Sequence, residues 1–255
     1  MKDLIHDLLQ AFSILTILPV GLLPPSDAKR LGRSMAFFPV VGLVIGLLSA
    51  LSYFLLSLLL PRPVALWLTI GVSTLVSGGL HLDGFADTLD GLACRGSKEK
   101  ILEVMRDSRV GSFGVIGLIF LIGAKYFALD QIPVPLLLCV FVLMAVVGRN
   151  GMVLVCYRSP YARSGEGLAK AFTETLGSRE VILSLVLTLV LSFLLGPKGV
   201  LVYLGTILFS LSFRKFFIRK LSGVTGDILG AAGELTELLS LLLVLVLRPI
   251  PVIAI

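Results

Sequence analysis

Charge is the scarcest property of this sequence. Only 15% of its 255 residues are Asp, Glu, Lys or Arg, where a soluble domain carries about a quarter. Soluble and disordered chains are excluded on that ground. Cysteine is limited to Cys94, Cys139 and Cys156, at spacings that suit neither a disulfide framework nor a zinc or redox motif. Two of them lie in apolar runs and read as small core side chains. Amides are nearly missing, with Asn150, Gln10 and Gln131 the only ones. A hot habitat and lipid exposure both deplete amides, so that shortage does not separate the two. What fills the space is apolar. Hydrophobic residues make up 56% of the chain and the mean hydropathy is +1.02, in long uncharged runs that recur from end to end. The fold class expected is an all-α, polytopic membrane protein, a single domain over residues 1–255.

Seven runs are proposed as spans: residues 35–60, 64–80, 112–130, 135–156, 181–196, 199–213 and 228–247. A hydrocarbon core of ~30 Å asks for about 20 apolar residues, so the shorter runs have soft boundaries. Residues 8–23 are uncharged too, but Pro19 interrupts them and Pro24-Pro25 end them. They read as part of an interfacial N-terminal segment, residues 1–34. Asp3, Asp7 and the lack of a small-residue cleavage site argue against a signal peptide. Of 22 Lys and Arg, 17 fall in one set of loops and three (Arg62, Lys198, Arg248) in the other, while Lys125 and Arg149 lie within spans. The positive-inside rule puts the long polar loops in the cytoplasm. Nearly all the carboxylates crowd that same face. A transporter usually places its ionisable groups near the midplane, so the pattern favours a membrane enzyme drawing polar substrates from the cytoplasm.

Four polar elements carry the chemistry. In Gly78-Gly79-Leu80-His81-Leu82-Asp83-Gly84-Phe85-Ala86-Asp87-Thr88-Leu89-Asp90-Gly91, the aspartates Asp83, Asp87 and Asp90 stand at i, i+4 and i+7 and share one helix stripe. Stacked carboxylates repel, and a divalent cation removes that cost. Oxygen donors without a Cys or His set suit Mg²⁺ or Mn²⁺ over Zn²⁺. A solvated acidic face is the plain alternative. His81 is either a base or a partner of Asp83. Next, Arg106 and Arg109 bracket Asp107 beside glycines, which suits a phosphate or equally a membrane-surface anchor. The third element, Thr225-Gly226-Asp227-Ile228-Leu229-Gly230-Ala231-Ala232-Gly233-Glu234, puts Asp227 and Glu234 seven apart, for a metal or for pairing with a nearby arginine. The fourth joins Arg149 to Tyr157-Arg158-Ser159-Pro160-Tyr161-Ala162-Arg163 and Gly165-Glu166-Gly167-Leu168, a loop for a phosphate or an aromatic ring, or for interfacial anchoring. Lys125, five residues from the outer end of its span, is expected to snorkel outward.

These runs resemble the signature segments of cobalamin synthase, the adenosylcobinamide-GDP ribazoletransferase family. Gly78 to Gly91, Met105 to Gly111 and Thr225 to Leu235 carry the likeness. Phe38-Pro39-Val40-Val41-Gly42 and Tyr161-Ala162-Arg163 extend it over essentially the whole chain, although Ile17 stands where the family often has arginine. The resemblance implies that a ribose hydroxyl attacks the phosphate carried by adenosylcobinamide-GDP, that GMP leaves, and that Mg²⁺ is required. The expected partners are adenosylcobinamide-GDP, α-ribazole or α-ribazole 5′-phosphate, and the lipid bilayer of a prokaryotic inner membrane. No nucleic acid is expected, and a homo-oligomer is left open. Joined to the reading of the residues, it assigns Asp83, Asp87 and Asp90 to the metal with Asp107, Asp227 and Glu234 in support. Arg106, Arg109, Arg149 and Arg163 hold phosphate, and His81 or an aspartate takes the hydroxyl proton. Two rivals are a CDP-alcohol type lipid phosphotransferase, similar in mechanism only, and a cation transporter.

Overall fold

The computed structural model describes residues 2–21 and 27–247; Pro24, Pro25 and Arg248, used above, lie outside them. Twelve α-helices are found among these residues: α1 (Lys2–Leu15), α2 (Ala28–Ser34), α3 (Phe38–Ser57), α4 (Arg62–Val76), α5 (Leu80–Ala93), α6 (Lys98–Val104), α7 (Ser112–Asp130), α8 (Val134–Cys156), α9 (Leu168–Thr175), α10 (Ser178–Ser192), α11 (Gly196–Leu221) and α12 (Gly226–Val246). The only β-pairing among them is an isolated bridge between Tyr161 and Val224.

The centre of the bundle is α8. Its sequence is apolar on every side, which suits a helix surrounded by others, and every residue from Val140 to Cys156 is buried. Helices α3, α10, α11 and α12 surround it. Its partners approach through glycines. A Cβ at Gly42 would stand 2.6 Å from the Ala145 carbonyl oxygen, and one at Gly46 would stand 2.5 Å from the Val142 Cα. The Gly-x-x-x-Gly face of α3 is thus the groove that lets two backbones meet where lipid offers no hydrophobic drive.

By length and composition five stretches can cross a membrane, and six if α4 and α5 are counted as one span bent by 90°. One of the five, Ser178–Leu221, runs for 44 residues. It folds back at Gly196, where φ is +62°, and the Tyr203 hydroxyl donates to the Leu185 carbonyl across the two limbs. By length and composition that stretch counts once, so the described residues offer five or six spans where seven were expected. The expected span 64–80 is cut by Gly78 and Gly79, with φ of +64° and +69°. That left-handed pair turns the chain sharply into α5. The N-terminal segment differs from expectation as well. Its helix begins at Lys2 and ends at Leu15, short of Pro19. Asp7 on it is buried and ion-paired to Arg30 and Arg33, and the Ile17 amide bonds the Val76 carbonyl at the end of α4.

Candidate active site

Helix α5 leaves the glycine turn and crosses the first turns of α12. The crossing is close because neither helix has a side chain there. A Cβ at Gly84 would stand 2.8 Å from the Asp227 Cα, and one at Gly230 would stand 3.2 Å from the His81 Cα. The same contact brings Asp83 and Asp87 up to Asp227, and Asp87 lies within electrostatic reach of both Asp83 and Asp227. Neither Asp83 nor Asp87 forms a side-chain hydrogen bond or ion pair among the described residues. Arg163 reaches in from the loop after α8. Its guanidinium donates to the Asp227 carboxylate at 2.6 Å and to the Met105 carbonyl at 3.1 Å, and Thr225 Oγ1 donates to the same carboxylate at 3.2 Å. The Tyr161–Val224 bridge positions that loop, with amide–carbonyl bonds of 2.9 Å from Ala162 to Val224 and from Val224 to Pro160. Three carboxylates therefore face one paired arginine, and negative charge is left over.

Asp83, Asp227 and Arg163, but not Asp87, border a cavity of about 350 Å³, whose walls also include His81, Arg106 and Tyr161. The Nε2 atom of His81 is buried without a partner. The lining also includes apolar residues from other helices: Leu15 of α1, Phe38 of α3 and Phe172 of α9. An outer cavity of about 510 Å³, lined by Lys98, Glu99, Glu103 and Ser164 among others, shares Arg106 and Arg163 with the first.

Several expected ligands are elsewhere. Asp90 shares the helix with Asp83 and Asp87, but its carboxylate accepts the Gly111 amide at 2.7 Å and the Gly114 amide at 2.9 Å. It caps α7, where orphan N–H groups and the helix dipole favour a carboxylate. Asp107 pairs with Arg109 at 2.6 Å, and the Arg109 side chain is 87% exposed. That guanidinium holds the Asp107 carboxyl down at about 2, well below the usual range. Neither residue lines the cavity.

Glu234 and Arg149 are deeper still. Lys125 of α7 donates to Glu234 and to Glu237 of α12, both at 2.6 Å, and Arg149 of α8 pairs with Glu237. All four are buried. Lys125 therefore points inward to two acids and does not snorkel; a span lysine with a buried acid in reach has no reason to seek the interface. Ser49, Ser73 and Thr74 are among the residues lining the small cavity of about 30 Å³ beside this cluster, enough for a water or two. The ionisable groups are thus not confined to one face, as the sequence suggested. Glu237 was missed as a partner; a second acid one turn after Glu234, with two basic residues inside other spans, was the signal for it.

Among the described residues no group of three His, Cys, Asp or Glu side chains is gathered into a ready-made metal cage. The donor chemistry at the α5–α12 crossing nevertheless fits a hard cation. All three side chains offer oxygen, and two have no counter-charge. Mg²⁺ typically takes only one or two carboxylates and completes its shell with water and substrate phosphate.

The family model for cobalamin-5-phosphate synthase matches residues 7–245. A protein from Geotalea daltonii named adenosylcobinamide-GDP ribazoletransferase is 41% identical over 233 residues, 91% of this chain and 94% of its own. Proteins of the same name from Acetivibrio thermocellus and Clostridium acetobutylicum are 38% and 35% identical, covering 90% of this chain and 93% and 92% of theirs. No solved structure matches the chain.

Proposed function

The chain belongs to the cobalamin-5-phosphate synthase family, and from that premise we propose that it joins adenosylcobinamide-GDP to α-ribazole or its 5′-phosphate. The products are GMP and adenosylcobalamin or its 5′-phosphate. One observation carries the reading at the level of chemistry. Asp83 and Asp227 meet Arg163 and Arg106 around a single cavity, with Asp87 within electrostatic reach of both acids, the combination of acids and guanidinium groups that phosphoryl transfer needs.

In the reaction the ribose hydroxyl oxygen forms a bond to the phosphorus next to the cobinamide side chain. The bond from that phosphorus to the bridging oxygen breaks, and GMP departs with that oxygen. His81, a residue of the cavity lining, or one of the aspartates takes the hydroxyl proton. Arg106 and Arg163 neutralise the phosphate oxygens, and guanidinium planes suit that task through paired N–H donors. Mg²⁺ held by Asp83, Asp87 and Asp227 would add Lewis-acid stabilisation of the attacking and leaving oxygens. Asp90, Asp107 and Glu234 are left out of this set because their partners (Gly111 and Gly114, Arg109, Lys125) lie off the cavity, whereas Arg163, the partner of Asp227, lines it. The excess of Lys and Arg in the long loops supports a site on the cytoplasmic side of a prokaryotic membrane.

The buried Lys125–Glu234–Glu237–Arg149 cluster is what a cation transporter would offer in rivalry. Its two acids are matched by two bases, so no charge is left for a transported cation. Turnover of adenosylcobinamide-GDP with α-ribazole by the purified protein, followed as GMP release with and without Mg²⁺, tests the proposal. No GMP from that pair would remove it, and GMP formed equally well under chelation would remove the metal.

A further inference from the structure

The two cavities differ in size, lining and position, and they meet at two arginines. We infer that the inner cavity is the acceptor subsite, holding the flat aromatic base of the ribonucleoside, while the donor approaches through the outer cavity and passes only its diphosphate inward to Arg106 and Arg163. The inference rests on the ribazoletransferase reading and divides its two substrates between the two spaces.

Volume makes the first cut. About 350 Å³ is near the small end of ligand pockets, roughly 300–1,000 Å³. It admits a benzimidazole riboside, whereas neither it nor the outer cavity of about 510 Å³ encloses a corrin macrocycle, so the donor enters only by its diphosphate end. Lining makes the second. The lining holds Phe38 and Phe172, edge to face with ring centroids 5.8 Å apart, together with Met152, whose thioether suits an aromatic neighbour. It also holds Asp83, Asp227 and Arg163. A molecule with an apolar aromatic end and a polar hydroxyl-bearing end has one sensible orientation here: base on the phenylalanines, ribose toward the acids. Charge makes the third cut. Lys98, Arg106 and Arg163 border the outer cavity beside Glu99 and Glu103, leaving one cation in excess there, which suits a diphosphate better than a neutral base. The two shared arginines then sit where the hydroxyl and the phosphorus must meet.

The test uses the full-length protein in detergent, with adenosylcobinamide-GDP and two acceptors, the ribosides of benzimidazole and of the larger naphthimidazole. Phe172→Ala is expected to raise the ratio of kcat/KM for the larger base over the smaller by at least about tenfold, since a few methylenes of pocket space discriminate on that scale. Met152→Ala should move the ratio the same way from a different helix. A folding defect alone would lower both acceptors together and leave the ratio unchanged. Lys98→Gln is expected to raise the KM for the donor several-fold and not that for the acceptor. An unchanged ratio in both Phe172→Ala and Met152→Ala, with wild-type turnover intact, overturns the inference and spares the activity. Absence of turnover by the wild-type protein overturns the activity itself.

Discussion

Replacing Lys125 by methionine should be among the most damaging single changes outside the active site. The methionine fills nearly the same volume, so packing is conserved and the charge alone is removed. In the native protein Lys125 donates to Glu234 and Glu237 at 2.6 Å each, with about 7% of its side chain exposed. After the change Arg149 still pairs with Glu237, but Glu234 has lost its cation. Removing one member of a buried pair costs about 3–5 kcal/mol, because the other charge stays buried and unpaired. For a chain of this length each kcal/mol is worth roughly 2–4 °C, so the melting temperature should drop on the order of 10 °C. The assay is thermal unfolding of the purified protein in one detergent at one scan rate, since unfolding of such proteins is a rate as much as an equilibrium. Adding Glu234→Gln removes the stranded charge and should return most of the loss, a coupling that only neighbouring groups display. A lysine that snorkels to the surface predicts neither the drop nor the rescue. Lys125→Met melting within about 2 °C of wild type, or a double variant no better than the single one, would refute the pairing.

Asp83→Asn and Asp227→Asn should each lower GMP release by orders of magnitude in saturating Mg²⁺, and near wild-type rates in either would remove that residue from the metal set. Asp90→Ala should act differently, costing about 1–2 kcal/mol of stability as a lost helix cap while leaving the Mg²⁺ dependence of the rate in place. Arg163→Ala should weaken turnover roughly 10- to 100-fold, as charge-assisted bonds of about 1.5–3 kcal/mol imply, whereas Arg109→Ala, whose side chain among the described residues pairs only with its neighbour Asp107, should change it little. In intact cells with the native cysteines replaced, Ser97→Cys should resist an impermeant thiol reagent and Lys198→Cys should react; the reverse pattern would invert the proposed orientation.

Much of the site was legible because local pattern and local structure agree there. The i, i+4, i+7 aspartates fall on one helix, α5, and the glycines around them are the points where α12 and the turn come close. The tertiary use of each carboxylate was not legible. Asp90 differs from Asp83 by seven residues and nearly the same direction around the axis, yet the start of α7 lies against it. No feature of residues 78–91 states where residues 111–114 will dock. The hairpin at Gly196 and the bend at Gly78-Gly79 show the same division. Hydropathy marks the apolar limbs, and a left-handed backbone position inside or beside them decides where the chain turns.

Glu234 and Asp227 show what a face-by-face reading discards. At 1.5 Å per residue, seven residues separate them by about 10 Å along α12 even though they point the same way. Asp227 is at the mouth of the helix, among loops and beside a cavity; Glu234 is two turns inside, among other helices. Depth, more than direction, sets the cost of a charge in a bundle surrounded by hydrocarbon. A carboxylate at the mouth can stay without a full complement of partners and wait for a cation and a phosphate. One two turns inside must be neutralised by the protein itself. The cations for that purpose were already visible, since Lys125 and Arg149 are the two basic residues that fall within apolar spans, and Glu234 and Glu237 are the two acids deepest in the last one. Matching charges by depth pairs these four with one another and removes them from the catalytic inventory. Asp83, Asp87, Asp227, Arg106 and Arg163 are then left for the proposed reaction, at the end of the bundle where charge can remain unspent.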